Sequence, residues 1–180
     1  MLDRVTVSPA CRARIDSARR VIECLSAEVE VFTTLAGNRL REYPGYAAIQ
    51  TIPGVGPILA AVFVAEIGEI GRFRRAAQLA SWAGLTPKHH ESNTTIHRGR
   101  ITKQGSKLVR WAAVEAVEAV EAVEAVQRTG KQGHPGQLRD QVGARRGTSI
   151  GKVAATRELI ELVFYGLRDG HIRRLTRTAA

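Results

Sequence analysis

The sequence predicts an all-α protein with a long, coiled-coil-like N-terminal helix followed by a helical domain. That domain is expected to contain a helix-hairpin-helix and a basic, serine-bearing loop. Three observations lead to this prediction. Apolar residues recur at spacings of three and four over residues 9–42, a Gly-Val-Gly turn separates two helix-compatible segments near residue 55, and helical periodicity returns over residues 150–168. We expect three regions, which cover residues 1–43, 44–126 and 127–180.

Composition and charge indicate a globular protein with a polyanionic partner. The chain has 180 residues, 44% of them hydrophobic, and a formal net charge of +10, so a sizeable core is available. Residues 71–110 contain nine lysines and arginines and one glutamate, which suggests a polyanionic partner, either nucleic acid or an acidic membrane surface. With no apolar run of about 20 residues, no apolar leader and two cysteines, we expect a reducing, cytoplasmic, nucleoid-associated protein without a membrane partner.

The first helix is expected over residues 9–42, with Ser8 and Pro9 at its start. Its apolar positions form one stripe, which fits either a core face or the seam of a coiled coil. A seam would make the protein a homo-oligomer. The stripe consists of Ile15, Ala18, Ile22, Leu25, Val29, Phe32 and Leu35.

The glycine turn follows a chain break at Tyr43-Pro44 and a short helix to Gln50. Gly54 and Gly56 permit a tight turn, and Pro57 suits the first turn of a helix over residues 57–67. This helix is apolar on nearly every side, so we expect it to be buried. The turn amides at a helix N-terminus could contact DNA phosphates, and an ordinary tight turn between helices is the alternative.

A basic, aperiodic segment follows a short helix. We expect that helix over residues 73–83, with Gly84 at its C-terminus. Residues 86–105 are predicted to be a loop or a short β excursion, and a helix begins again near Ser106. The segment contains three histidines, which lack the spacing of a zinc site, so we predict no metal site and favour surface or phosphate contact. They are His89, His90 and His97.

A Val-Glu-Ala motif occurs four times over residues 114–125. On a helix each three-residue step turns the next valine by about −60°, so neither the valines nor the glutamates keep to one face. The repeat therefore leaves the placement of everything after it open. Beyond it we expect loop over residues 127–148, a helix over 150–168 and a frayed basic tail.

One ordered set of motifs resembles a known family. The set runs from IPGVGPILAAVFVAEIG through RRAAQLASWAGLTP and Glu91-Ser92 to RGRITKQGSKLVRW, with further similarity in ARRGTSIGKVAATRELIELVFYGLRDG. It resembles the C-terminal transposase domain of the insertion-sequence-110 family (116/110/902 type, eleven-eleven branch) over about two-thirds of the chain. The resemblance implies DNA recombination by a serine, pairing of protomers through a preceding helical segment, and a guide RNA from the element. It also implies a preceding acidic, RNase-H-like domain that binds Mg²⁺, which we do not see in this sequence.

Ser92 is the residue that the resemblance places at the nucleophile position. Where the family usually has a following glycine, this chain has Asn93, and asparagine tolerates left-handed backbone better than most residues. A serine hydroxyl that attacks a phosphodiester needs a base and cations that polarise the phosphate. Candidate bases are Glu91, His89 and His90, and the residues expected to contact DNA are Gly54, Gly56, Arg98, Arg100, Lys103 and Lys107.

These observations predict a DNA transposase domain that binds, cleaves and transfers DNA strands with Ser92 as nucleophile. The alternative is a truncated, catalytically inactive fragment that binds nucleic acid, which the missing acidic domain favours. A basic ribosomal or nucleoid protein is a third interpretation, and the resemblance argues against it. We expect no cofactor in this chain, and Mg²⁺ only together with the acidic domain.

Overall fold

A computed structural model describes residues 8–92, 95–127 and 134–176. The predicted all-α class is confirmed, because helices make up nearly all of the regular structure in these ranges. A short 3₁₀ turn at Ile70–Arg72 joins the helix Pro57–Ile67 to the helix Ala76–Trp82. Among the described residues no helix is long and apolar enough to cross a membrane. The elements in chain order are α1 (Pro9–Leu40), α2 (Pro44–Ile49), α3 (Pro57–Ile67), α4 (Ala76–Trp82), β1 (Pro87–Ser92), β2 (Thr95–Ile101), α5 (Lys107–Gln127), α6 (His134–Arg146), α7 (Thr148–Asp169) and α8 (Arg173–Thr176).

The chain divides into two units, Met1–Arg39 and Leu40–Ala180. The first consists of α1, whose start is capped as expected by Ser8, since its hydroxyl oxygen accepts a hydrogen bond of 3.3 Å from the amide of Cys11. No residue of α1 is buried, and its apolar stripe is open to solvent, with Leu25 59% and Phe32 65% exposed. The predicted long helix is confirmed, since α1 runs without a break from Pro9 to Leu40. The boundaries predicted at residues 43 and 126 stay predictions.

Helix α7 lies at the centre of the second unit and packs against α2, α4 and α5. Leu159, Ile160, Val163 and Phe164 are almost wholly inaccessible to solvent, so the helix predicted over residues 150–168 is confirmed. The sequence left its placement open, and the structure shows it within the same core as the glycine turn. A buried helix with several neighbours needs apolar residues on more than one face, and α7 has them.

Helix α3 has the predicted bounds but is less buried than expected. Ala60, Phe63 and Ile67 form its one buried face, while Ile58 is 45% exposed. The uniformly apolar composition predicted burial on all sides. In this unit α3 contacts α2 and α5, and these neighbours cover only one side of it.

Residues 127–148 were predicted as loop, and this prediction is wrong for the helix α6. Its glycines and arginines form no apolar stripe, so the sequence gives little helical signal. The helix is instead stabilised by packing against α7, where Gly151 lies so close that an added Cβ would overlap the carbonyl oxygen of Arg139. Glutamates of the repeat reach the same pair of helices: Lys152 lies 3.2 Å from Glu118 and 3.5 Å from Glu121.

The aperiodic segment after α4 contains an antiparallel hairpin of β1 and β2, so the β alternative was the correct one. Its pairs include Pro87 with Ile101 and Ser92 with Thr95, and the register shifts between Pro87 and His89. The shift lets seven residues of β2 lie opposite six of β1. Residues 93 and 94 at the tip lie outside the described residues.

Candidate nucleic-acid interface

The base of the hairpin is held against the turn that follows α4. The amide of Thr102 donates to the carbonyl of Thr86 at 2.9 Å, and that of Lys103 donates to Gly84 at 3.1 Å. The residues that follow β2 cross the turn that follows α4, and the two backbones lie too close together for a side chain at Gly84 or Gly105. An added Cβ on Gly105 (φ 79°) would overlap the carbonyl oxygen of Trp82, and one on Gly84 (φ 75°) would lie 2.6 Å from the backbone nitrogen of Gln104.

Arg110 of α5 donates hydrogen bonds to both chain segments of this crossing. One guanidinium nitrogen, Nη1, donates to the carbonyl oxygens of Ala83 and Gln104 at 2.8 Å each and to that of Gly105 at 3.3 Å. Hydrogen bonds from a charged donor are stronger than neutral ones. Arg110 therefore fixes the hairpin base relative to α5 and is not a free phosphate ligand.

Ser106 caps the N-terminus of α5. Its hydroxyl oxygen accepts from the amide of Val109 at 3.2 Å and donates to a carboxylate oxygen of Glu66 at 2.6 Å. Because Glu66 lies in the last turn of α3, this bond joins the end of α3 to the start of α5. The sequence predicted a helix start near Ser106, and serine is a common N-cap residue, but nothing in the spacing of the sequence indicated its acidic partner.

Three of the predicted DNA-binding cations surround this rigid base. Arg100 lies near the end of β2, Lys103 in the connection, and Lys107 at the first residue of α5, and all three are exposed. Lys103 has a positive φ of 56°, an uncommon conformation for a residue with a side chain. Positive charges on an ordered, exposed backbone form the kind of surface that contacts phosphates.

Ser92 lies at the end of β1, opposite Thr95 and next to the undescribed tip. Arg98 pairs with His89 further down the same hairpin. The backbone places both residues on the element whose base carries the exposed cations. The side chains of residues 89–98 lie outside the described part of the chain, so Ser92 as nucleophile and Arg98 as DNA ligand stay predictions.

The glycine turn lies at a different place on α5. Gly54 (φ 83°) packs so closely on α5 that a Cβ would overlap the carbonyl oxygen of Ala116, whereas nothing lies within 4 Å of the corresponding position on Gly56. Ala116 is nine residues beyond Lys107 on α5, about 13 Å along the axis. The turn does join two helices, α2 and α3. Its action as a DNA-binding helix-hairpin-helix stays a prediction.

One more cation of the basic segment has a structural partner. The guanidinium of Arg72 lies 4.6 Å from the ring centre of Phe73 and 4.7 Å from that of Trp82, in the range of cation–π contacts. A count of charges treats Arg72 and Arg110 like the exposed cations. The structure distinguishes them, because the guanidinium groups of both have partners within the protein.

Metal ligation has no counterpart in the structurally described side chains. In that part of the chain no three His, Cys, Asp or Glu residues come together as a metal site would require. The side chains of the histidine-rich stretch in β1 and β2 lie outside the described residues. The resemblance places the Mg²⁺ site in the preceding acidic domain, so we assign the ion to no residue here and that expectation stays a prediction.

Comparison with known proteins gives one matching family. Residues 46–132 match the family described as "Transposase IS116/IS110/IS902 family". The matched segment begins in α2, contains the glycine turn and the hairpin, and extends past the end of α5. It thus includes every residue predicted for the site.

Individual relatives agree with the family match. The chain is 31% identical over 99 residues to the transposase for insertion sequence element IS1111A of Coxiella burnetii, which covers 51% of this chain and 27% of that protein. It is 40% identical over 65 residues to the pilin gene-inverting protein of Moraxella bovis, covering 36% and 20%. For a protein of insertion element IS110 of Streptomyces coelicolor the identity is 36% over 73 residues, covering 41% and 18%. The matches therefore span about a quarter or less of these relatives.

Proposed function

Because residues 46–132 form a domain of the IS116/IS110/IS902 transposase family, we propose that this chain binds DNA and takes part in its cleavage and strand transfer. The observation that carries the proposal is the match itself, since it covers the serine-bearing hairpin and the basic residues at its base. The names of the relatives, transposase and gene-inverting protein, describe reactions in which DNA strands are cut and rejoined.

DNA contact is proposed for the rigid base of the hairpin. Arg100, Lys103 and Lys107 are exposed on backbone that Arg110 and the Gly84–Gly105 crossing hold in place. A preorganised cationic surface loses little conformational freedom on binding. Contacts of this kind bind phosphates independently of sequence.

Ser92 is proposed as the nucleophile. Its hydroxyl oxygen would form a bond to the phosphorus of a phosphodiester, the proton would pass to a nearby base, and the bond to the leaving sugar oxygen would break. The resulting phosphoserine ester keeps one DNA end attached to the protein. Attack by a sugar hydroxyl of another strand would then reverse the chemistry and join the ends, so no oxidant or nucleotide is needed.

The second candidate function is DNA binding without cleavage. It is favoured because the backbone that carries the exposed cations of the hairpin base is held by hydrogen bonds that do not involve Ser92. In this case the chain holds nucleic acid at the element, and a guide RNA is a further proposed partner.

The two candidates differ in a covalent product. We would incubate the chain with labelled duplex DNA and Mg²⁺, alone and with a full-length relative supplying the acidic domain, and look for a protein–DNA adduct under denaturing conditions. We expect binding without an adduct for the chain alone, and an adduct mapped to Ser92 in the reconstituted reaction. An adduct that persists in a Ser92→Ala variant would show that another residue is the nucleophile.

Self-association through α1 is proposed as well. The apolar stripe follows heptad spacing, with Ile15, Ile22 and Val29 at positions a and Leu25 and Phe32 at positions d. Four of these side chains are half exposed or more in the single chain. A second copy of α1 would cover them.

Charge indicates that the two copies run antiparallel. Residues 9–20 of α1 contain four arginines and one aspartate, whereas residues 21–35 contain three glutamates and no base. An antiparallel pair places the basic half of each helix against the acidic half of the other. A parallel pair would set Arg14, at position g, beside Arg19, at position e of the second copy, and like charges there disfavour pairing.

A further inference from the structure

A second cationic surface lies where the start of α4 meets the end of α7. Two adjoining concavities, of about 730 Å³ and 320 Å³, share Glu161, Tyr165 and Arg168 in their linings. The first extends towards Arg173 at the start of α8, and the second towards Arg74 just before α4. We call this surface the α4–α7 groove. None of its lining residues belongs to the hairpin or its base.

The groove contains an exposed aromatic ring that its neighbours hold in place. Tyr165 is 42% exposed, and its ring packs edge-on against buried Phe164, with ring centres 5.3 Å apart and planes at 80°. The guanidinium of Arg168 lies 5.2 Å from the centre of the Tyr165 ring and 5.0 Å from that of Phe164. A fixed aromatic ring beside an arginine is a surface on which a flat, electron-rich group can stack.

Both acids of the groove already have cationic partners. Asp169 accepts two hydrogen bonds from Arg168, at 2.7 and 2.9 Å, and Arg168 thereby lowers the pKa of this carboxyl. Glu161 lies 3.7 Å from Arg157 on the same helix. Arg74 and Arg75 add two exposed positive charges at the edge of the groove, so the groove is cationic despite its carboxylates.

We propose that the α4–α7 groove binds an unpaired stretch of nucleic acid, with one base stacked on Tyr165 and neighbouring phosphates contacting Arg74 and Arg75. Bases within a duplex are stacked on each other and cannot reach the ring, whereas bases of a single strand can. Arginines beside an aromatic platform match the two chemistries of such a strand, anionic phosphate and flat base. The inference does not depend on Ser92 or on DNA contact at the hairpin.

The test compares labelled oligonucleotides of about eight residues, within the site size of single-strand binders. The full chain is titrated with oligo-dT, oligo-U and an abasic oligomer of equal length. We expect the base-bearing oligomers to bind about tenfold more tightly than the abasic one, consistent with one stacked base. Comparison of the oligo-dT and oligo-U arms identifies whether DNA or RNA is the better ligand.

Variants assign the effect to the groove. Tyr165→Ala should bind base-bearing and abasic oligomers equally, Tyr165→Phe should keep the preference, and Arg74→Ala with Arg75→Ala should weaken all oligomers. Lys103→Ala with Lys107→Ala should leave the base preference intact, which separates this site from the hairpin. Thermal unfolding of each variant checks that it is folded. Equal binding of the abasic oligomer by the unchanged chain, or a base preference that survives in folded Tyr165→Ala, would overturn the proposal.

Discussion

The hydroxyl of Ser106 donates a 2.6 Å hydrogen bond to the carboxylate of Glu66, forty residues earlier in the chain. One end of this bond caps α5 and the other belongs to the last turn of α3. The exposed Lys103 and Lys107 lie on either side of the cap. The orientation of α5, and with it the cationic base of the hairpin, therefore depends on a contact between a neutral hydroxyl and an anion.

Replacing Ser106 with aspartate should destabilise the protein, although aspartate is normally as good a helix cap as serine. We expect Ser106→Ala to lower the free energy of unfolding by about 2 kcal/mol, through the lost cap and the lost bond to a charged acceptor. Ser106→Asp should cost at least as much, because its carboxylate would face that of Glu66. Combining it with Glu66→Gln should restore stability, as urea unfolding of the double-mutant cycle would show. Additive losses would contradict the contact.

Gly105 should not accept any side chain. Gly105→Ala combines a positive φ with an overlap on the carbonyl of Trp82, and we expect a loss of about 3 kcal/mol in the free energy of unfolding. Gly71→Ala is the matched control, since its added Cβ meets nothing closer than 3.6 Å. Chemical denaturation of both variants measures the difference. Equal stability of the two would show that the crossing is looser than described.

Substitutions at the two glycines of the turn should differ in their effect on stability, because Gly54 is packed against α5 and Gly56 faces open space. Gly54→Ala would overlap α5 at Ala116 and should destabilise the protein by about 2–3 kcal/mol. Gly56→Ala has free space and should leave the melting temperature within a few degrees, about what a change below 1 kcal/mol produces. If Gly56 contacts DNA phosphates, its variant should weaken DNA binding while the fold stays intact. Because alanine keeps the backbone amide, unchanged binding by Gly56→Ala would show that no phosphate lies close against the Cα of this residue.

Helix starts and ends were predictable because they depend on local chemistry. Pro57 at the start of α3, Gly68 at its end and Gly84 after α4 act through their own backbone preferences, so a short window of sequence is enough. The same holds for Ser8, whose side chain caps the helix that it precedes. The cations of the site could be found by counting charge.

Features that depend on distant partners were not predictable. Helix α6 lacks an apolar stripe and is stabilised by α7, and the repeat glutamate Glu118 contacts Lys152, thirty-four residues later. Arg110 looks like one more DNA-binding cation until its three carbonyl partners are seen. A single sequence does not state which carbonyls will lie near a given arginine, because the fold decides it.

DNA binding should weaken with salt and should depend on the two exposed lysines. Lys103→Ala with Lys107→Ala removes two phosphate contacts, so the slope of log K against log salt should become shallower by about 1.8 for duplex DNA. Arg145→Ala with Arg146→Ala removes equal charge from exposed positions in the last turn of α6 and is the control, expected to change the slope little. Fluorescence anisotropy at several salt concentrations measures both. A slope that falls equally in the two variants would indicate a general charge effect and no defined interface.

Helix α1 should form a pair whose interface is the apolar stripe. Leu25→Lys, at a d position, should give a monomer by analytical ultracentrifugation, because a charge there would be buried against the second copy. Ala27→Lys, two residues on and on the outer face of the heptad, should leave the dimer intact. A folded monomer for the unchanged chain would show that the stripe has another role.

The native cysteines can report the direction of this pairing. Cys11 falls at a d position of the heptad and is exposed, so in a parallel, in-register pair it would face its own copy and form a disulfide on oxidation. In the antiparallel pair it lies opposite Ala36, and the two Cys11 residues are about 37 Å apart. In a Cys24→Ser background we therefore expect no disulfide-linked dimer from Cys11 alone, and a linked dimer after Ala36→Cys. A dimer linked through Cys11 without the added cysteine would show that the helices run parallel, and that apolar contact outweighs the charge difference between the two halves of α1.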